Sequence, residues 1–207
     1  MNENNKNSDN LKSELEQALM LLKQVDEIIA INPKNENNHF LKSYVLLFVF
    51  LAESRIIGSE QSYKRLEESL KEIDIAIALN PNNKMFRYYK GHMLFILDKY
   101  EEALEEYNKI LSMDPNDKEA HQYKIQILML MQNYEDVLEE YNKILANNPN
   151  DKEAHFSKAI ILTKLKRFEE AAEEYRQAIF IDSAGILKKL LSDALSDVGK
   201  IKKKDKD

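Results

Sequence analysis

Histidines, clustered carboxylates and serines are the side chains of this sequence that could do chemistry. The histidines are His39, His92, His121 and His155. Two histidines three or four residues apart on a helix, or cysteine thiolates, would suit a metal ion, but neither spacing occurs and there is no cysteine. His121 and His155 each close the same phrase, DKEAH, at 117–121 and again at 151–155; such repetition marks a structural position. The carboxylates recur as Glu101, Glu102, Glu105 and Glu106, then Glu135, Asp136, Glu139 and Glu140, then Glu169, Glu170, Glu173 and Glu174. A general acid and base pair needs burial that separates two pKa values. These groups stand instead where helices begin, where the dipole favours negative charge, so they read as a solvated face, with a docking strip for a basic partner as the rival reading. The serines lack the glycine-flanked turn of an esterase nucleophile, and no glycine-rich phosphate loop is present. A non-catalytic protein without metal site or cofactor is expected.

The elements that would carry these residues are helical. Glycine and proline number four each in 207 residues, whereas Glu, Lys, Leu, Ile and Ala abound, which points to an all-α chain. An apolar content of 43% over this length supports one compact domain or one short repeat array. The net charge of -6 offers phosphates no general attraction, so nucleic acid is an improbable partner. The absence of cysteine fits a reducing cytoplasm, and MNENNKNSDN lacks the basic-then-apolar order of a signal peptide. The longest apolar run, Tyr44 to Ala52, is far short of the ~20 residues that cross a bilayer. A cytoplasmic protein is expected.

Pro81, Pro115 and Pro149 recur at one constant interval, and whole phrases recur with them: EEYNKIL at 105–111 and 139–145, and EEALEEY at 101–107 answered by EEAAEEY at 169–175. The interval is the ~34-residue period of a helix-turn-helix repeat. Residues 84–117, 118–151 and 152–185 resemble three tetratricopeptide repeats in register. Gly91, Ala103, Ala159, Ala171 and Ala178 fill positions where small side chains let helix axes approach to about 8–10 Å, and Tyr107, Tyr141 and Tyr175 follow at the aromatic position. The sequence departs from the family at Ile110, Ile125, Val137 and Ile144, which stand at usually small positions, and at Ser183, which replaces the closing proline. The family's early tryptophan is absent; Arg87, His121 and His155 stand there, and His39 in the repeat before. Lys90, Lys124 and Lys158 replace a leucine three residues later and are expected to pack by their stems with their ammonium groups in water.

The interval from Pro33 to Pro81 is longer, one repeat plus 14. Register is kept by His39, Lys42 and Ser43 on one side and by Ser69, Ile73 and Ala76 on the other, so residues 34–83 read as a taller hairpin, lengthened between Val49 and Leu66 around a turn at Gly58-Ser59. Residues 10–33 read as a half-repeat helix, with Leu11, Leu15, Ala18, Leu22, Val25 and Ile29 at helical spacing. At the other end, Leu187, Leu190, Leu191, Ala194, Leu195 and Val198 give 186–199 the character of an amphipathic capping helix. Residues 1–9 and the basic 200–207 are expected to be disordered, leaving one array over 10–199.

The resemblance implies a right-handed α-solenoid whose first helices line a concave groove that binds a protein or peptide. In the family's register the groove residues are Tyr88, Tyr89, His92 and Phe95, with Met85 and Ile96; Gln122, Tyr123, Gln126 and Met129; and Phe156 and Ile160. The tall hairpin adds Phe40, Leu41, Tyr44 and Leu47. Aromatic and methionine side chains suit an apolar or helical peptide. The lysine, asparagine and arginine clamp by which some relatives hold acidic chaperone tails is missing: its places read Tyr88, His92, Tyr123, Glu153 and Ser157 in one register and Phe40, Tyr44, Tyr89, Glu119 and Tyr123 in the other. Besides an adaptor, the resemblance allows a homodimer or larger homo-oligomer built through hairpin 36–80 or the groove, and a small chaperone or accessory subunit of an enzyme or secretion complex. The run Tyr44 to Ala52, apolar on every side, requires a cover, either neighbouring helices or a partner.

Overall fold

The computed structural model describes the backbone of residues 3–57 and 59–204 and the side chains of 10–56 and 62–186. Among these residues the regular structure is helical: α1 (Glu3–Ile31), α2 (Glu36–Ile57), α3 (Ser59–Leu79), α4 (Lys84–Ile96), α5 (Tyr100–Met113), α6 (Lys118–Leu130), α7 (Tyr134–Asn147), α8 (Lys152–Lys164) and α9 (Phe168–Lys204). The fold is an all-α solenoid of helical hairpins. Helices α4 to α8 alternate 13 and 14 residues, whereas α2 has 22 and α3 has 21, so the insertion lengthens both helices of the second hairpin. Gly58, half of the expected turn there, lies outside the described residues, and Ser59 opens α3.

Local chemistry sets where each helix starts and stops. The loop phrases end in a cap: Asn83 accepts from the Met85 N–H, Asp117 from Ala120 and Asp151 from Ala154, satisfying donors that a helix start leaves open. Within the hairpins of α4 to α9, Asp98, Gln132 and Lys166 take left-handed backbone at φ 56, 57 and 61. The N–H of each following residue then returns to the first helix, as Lys99 does to Leu94 at 2.9 Å. That closure is usually glycine's.

Two terminal expectations are corrected. Helix α1 starts at Glu3 instead of residue 10, and α9 runs without interruption to Lys204, so neither a separate capping helix over 186–199 nor a disordered segment over 200–204 is present. No proline follows Pro149, and Ser183 cannot stop a helix as the earlier prolines do. The side chains of the expected capping stripe from Leu187 to Val198 lie outside the described residues.

The chain divides into two compact units, residues 1–120 and 121–207. In the first, Ala18 and Val25 of α1 pack on Val45 and Val49 of α2. On another side of α2, Phe50 joins Leu66, Ile73 and Ala76 of α3 and Phe86 and Met93 of α4. Ser43 and Ser69, both fully buried, exchange hydroxyl-to-carbonyl hydrogen bonds of 2.9 and 2.7 Å between α2 and α3. In the second unit the buried set includes Ile127, Leu128, Val137, Leu138, Ala159, Ile161, Leu162 and Ala171.

Each hairpin also holds a carboxylate between its helices, which corrects the reading of these acids as wholly solvated. Glu106 and Glu140 are 2% and 1% exposed; Glu72 and Glu174 hold the same place and are largely shielded. Each faces two basic side chains of the preceding helix. Glu72 meets His39 and Lys42, both at 2.7 Å; Glu106 meets Arg87 at 3.0 Å and Lys90 at 3.2 Å; Glu140 meets His121 and Lys124, both at 2.6 Å; Glu174 meets His155 and Lys158, both at 2.5 Å. The lysines therefore do not simply reach water, and Lys124 is only 8% exposed. Three of the first-helix partners also bind the proline carbonyl of the loop before them: His39 with Pro33 at 2.9 Å, His155 with Pro149 at 3.1 Å, and Arg87 with Pro81 at 2.9 Å. Arginine in the same place at 87 performs the same bridging.

Burial alone would raise the Glu140 carboxyl, but hydrogen bonds from His121 and Lys124 outweigh it and hold it at about 2. A depressed folded-state pKa means stability that is present above the ordinary carboxylate range and is lost as pH falls from about 5 toward 2. Glu140→Gln should cost about 3 kcal/mol in urea unfolding at neutral pH, because it leaves the buried Lys124 ammonium and the His121 ring without their carboxylate; the gap to wild type should narrow on acidification. Equal stability at neutral pH would refute the role. A Cβ on Gly91 would sit 2.8 Å from Cζ of the buried Tyr107. Gly91→Ala is therefore expected to lower the thermal midpoint despite alanine's better helix propensity, overpacking costing about 1–3 kcal/mol against a gain of about 1.

Candidate partner-binding surface

The expected groove residues divide between the two units. In the first, Tyr88, Tyr89, His92 and Phe95 follow at helical spacing on α4, and all four are half-buried. Tyr89 is wedged among rings, 5.3 Å from Phe40 edge-on and 6.0 Å from Tyr44, and its hydroxyl donates to the Ser43 carbonyl at 3.3 Å. Phe40 itself stacks on Phe86 at 5.0 Å. Tyr88 and His92 lie 6.1 and 6.3 Å from the buried Tyr107 ring, and Phe95 lies 5.8 Å from Tyr100. These side chains serve packing with one side and offer the other. Met85 and Tyr44 are fully part of the surface, at 52% and 54% exposure.

In the second unit, Gln122 and Gln126 are exposed on α6 while Tyr123 and Met129 are half-buried. On α8, Phe156 is 53% exposed, edge-on to Tyr175 at 5.5 Å, and Ile160 is 40% exposed.

The run Tyr44 to Ala52 is covered on two sides and open on the third. Val45 and Val49 face α1, Phe50 faces α3 and α4, and Leu41, Tyr44, Phe48 and Leu51 remain 43%, 54%, 46% and 43% exposed. Their spacing of three, four and three residues puts them on one stripe of α2. Sequence reasoning named Leu41 and Tyr44 and missed Phe48 and Leu51; the same spacing was available, but an all-apolar helix does not disclose which of its stripes is left open.

Tetratricopeptide repeat family models match residues 64–118, 94–157 and 152–184, together spanning 64–184, more than half of the chain. The chain belongs to the tetratricopeptide repeat family. No curated protein matches it significantly. Solved structures with the same fold include a crystal structure of MamA, at 13% identity with 90% of this chain and 98% of the other covered and a TM-score of 0.54. MamA 41-end from Desulfovibrio magneticus RS-1 aligns at 15% identity, 86% and 96% coverage and a TM-score of 0.52. YrrB, a TPR protein with an unusual peptide-binding site, aligns at 16% identity, 89% and 88% coverage and a TM-score of 0.54. At these identities the likeness is one of fold.

Within this tetratricopeptide array the polar chemistry near the candidate surface is positional. Lys84 binds Asp114 and Asp117 at 2.9 and 2.8 Å, and the Tyr88 hydroxyl donates to the Asp117 oxygen that caps α6. Burial, then the Asp117 carboxylate, pushes the Tyr88 phenol far above its ordinary range, so it stays a donor at any physiological pH. Burial lowers the His92 imidazole below its ordinary value, with Glu119 partly opposing. Among the described residues no group of three or more His, Cys, Asp or Glu is placed to hold a metal ion, and no helix is long and apolar enough to cross a membrane. Tyr88→Phe removes a hydrogen bond to a charged group and should cost about 2 kcal/mol in chemical unfolding; an unchanged midpoint would show that Asp117 caps α6 without Tyr88.

Proposed function

We propose that this tetratricopeptide protein is a non-catalytic adaptor that holds an apolar or amphipathic helical segment of another protein, with the α2 stripe as its principal contact. The observation that carries this reading is the row of Leu41, Tyr44, Phe48 and Leu51, four large apolar side chains between 43% and 54% exposed on one line of one helix. Anchors at such spacing match the i, i+3, i+7 pattern of an amphipathic helix laid against them, and a contiguous exposed apolar strip on an otherwise charged protein marks a contact surface. The fold of the family is a binding scaffold, and the peptide site named for YrrB is in keeping with that use.

The remaining partner contacts follow from exposure. Tyr89 borders the stripe from α4, 6.0 Å from Tyr44, and Tyr88, His92, Phe95 and the exposed Met85 are further proposed contacts on α4. In the second unit Gln122, Tyr123, Gln126, Met129, Phe156 and Ile160 offer a mixed polar and apolar face of their own for a peptide segment. Protein or peptide is the partner class, and the location proposed is the cytoplasm.

A pull-down from lysate, quantified by mass spectrometry, should show a partner retained by wild type and lost by Tyr44→Ala/Phe48→Ala. Both positions are about half exposed, so the variant should still unfold cooperatively, with a midpoint lowered only by the lost Tyr44–Tyr89 contact. Retention of the same partner by the folded variant would place binding elsewhere.

A further inference from the structure

Helix α1 carries exposed apolar residues beside the α2 stripe. Leu21 and Ile28 are 48% and 44% exposed and, with Gln24 between them, share one line of the helix. The contact of α1 with α2 runs through Ala18, Val25, Val45 and Val49, and the Asp26–Lys42 bridge at 2.9 Å marks one flank of it. By helical spacing Leu21 and Ile28 leave that contact on the other flank of α1, and Leu41 and Phe48 leave it on the other flank of α2. Joined by the short loop through Pro33, the two helices run antiparallel, so these flanks adjoin. The α1 line and the α2 stripe are two walls of one seat. From Gln17 to Ile28 and from Leu41 to Leu51 these lines carry no charge, and Glu14 and Arg55, which continue them, have opposite signs.

Helix α2 itself shows what such a seat accepts. Asn32 and Pro33 follow α1 as Asn80 and Pro81 follow α3, and Asp26 binds Lys42 as Asp74 binds Lys90 at 2.8 Å. Leu21, Gln24, Val25 and Ile28 therefore match Ser69, Glu72, Ile73 and Ala76. On α3 that flank is covered by α2: Ser69, Ile73 and Ala76 are 0% exposed, and the Ser69 hydroxyl donates to the Ser43 carbonyl at 2.7 Å. Through Phe40 and Tyr44, α2 also meets Tyr89 of α4, whose place on α2 is held by Leu41. Two exchanges alter the chemistry of the equivalent seat on α1. Glu72, which binds His39 and Lys42 of α2, is replaced by Gln24, so no basic residue is called for there. The small Ser69 and Ala76 are replaced by Leu21 and Ile28, so the side that yields room must be the incoming one. We propose that this seat takes a helix of a partner protein, docked as α2 docks on α3 but through an uncharged face. That face places Gly, Ala or Ser against Leu21 and Ile28, an amide or hydroxyl against Gln24, and larger apolar residues against the α2 stripe. The proposal rests on the adaptor reading and specifies its partner.

The probe is a phage-displayed library of helix-forming peptides of about 20 residues, selected on the full chain. Recovered peptides should share a small, uncharged face. By fluorescence anisotropy a labelled representative should bind Leu21→Lys/Ile28→Lys about tenfold more weakly than wild type, with the variant still unfolding cooperatively. Selection on Gln24→Glu, a change at an exposed position, should instead recover peptides with Lys, Arg or His on that face, as Glu72 binds such groups within the chain. The same neutral peptides recovered on Gln24→Glu, unchanged affinity for Leu21→Lys/Ile28→Lys, or a library without binders each overturn the proposal. Peptides that ignore α1 but lose affinity for Tyr44→Ala/Phe48→Ala leave the adaptor reading standing alone; peptides that ignore both variants count against both.

Discussion

A carboxylate placed between two helices has to be met by cations of good geometry, because an unpaired buried charge costs several kcal/mol. The tetratricopeptide hairpins here meet that demand with a side chain of the first helix that spans both the carboxylate of the second and, at His39, Arg87 and His155, the carbonyl of the loop proline. One contact network thereby joins three parts of each hairpin: the entering loop, the first helix and the second. Glu72 stands 33 residues after His39, against the 19 that separate His121 from Glu140. The difference is the insertion, so the tall hairpin keeps the same lock with longer arms above it.

Those longer arms create the surface on which the proposed binding depends. Regular hairpins of 13 and 14 residues have a lock near one end and a tight left-handed turn at the other. Helix α2 has 22 residues against the 13 of α4. It packs α1 on one side and the α3 and α4 core on another, and its remaining stripe is left about half exposed. The exposure of Tyr44 and Phe48 thus follows from a geometric surplus: one helix with three apolar sides, of which its neighbours cover two.

Much of this was legible in the sequence, and the residues show why. The constant repeat period, the small residues at the hairpin contacts and the loop prolines dictate helix order because each acts through local backbone geometry or through contacts one repeat away. The lengthened hairpin was readable because register resumes on both sides of it. The ionic locks were hidden. Histidine, lysine and glutamate are surface residues by type, and only the facing of His121, Lys124 and Glu140 across two helices shows that they are interior. Their recurrence from repeat to repeat was visible, but recurrence identifies a repeated environment without saying whether it is wet or buried.

By itself the sequence determined the helices, their pairing into hairpins and the family, because these depend on local propensity and on a period that the chain displays along its length. Only the tertiary structure decided which apolar and charged side chains are covered. The uninterrupted course of α9 and the open stripe of α2 both belong to that second class. A helix of uniform polarity pattern presents every side equally in sequence, and the neighbours that cover some sides and leave others to solvent are set by packing in space.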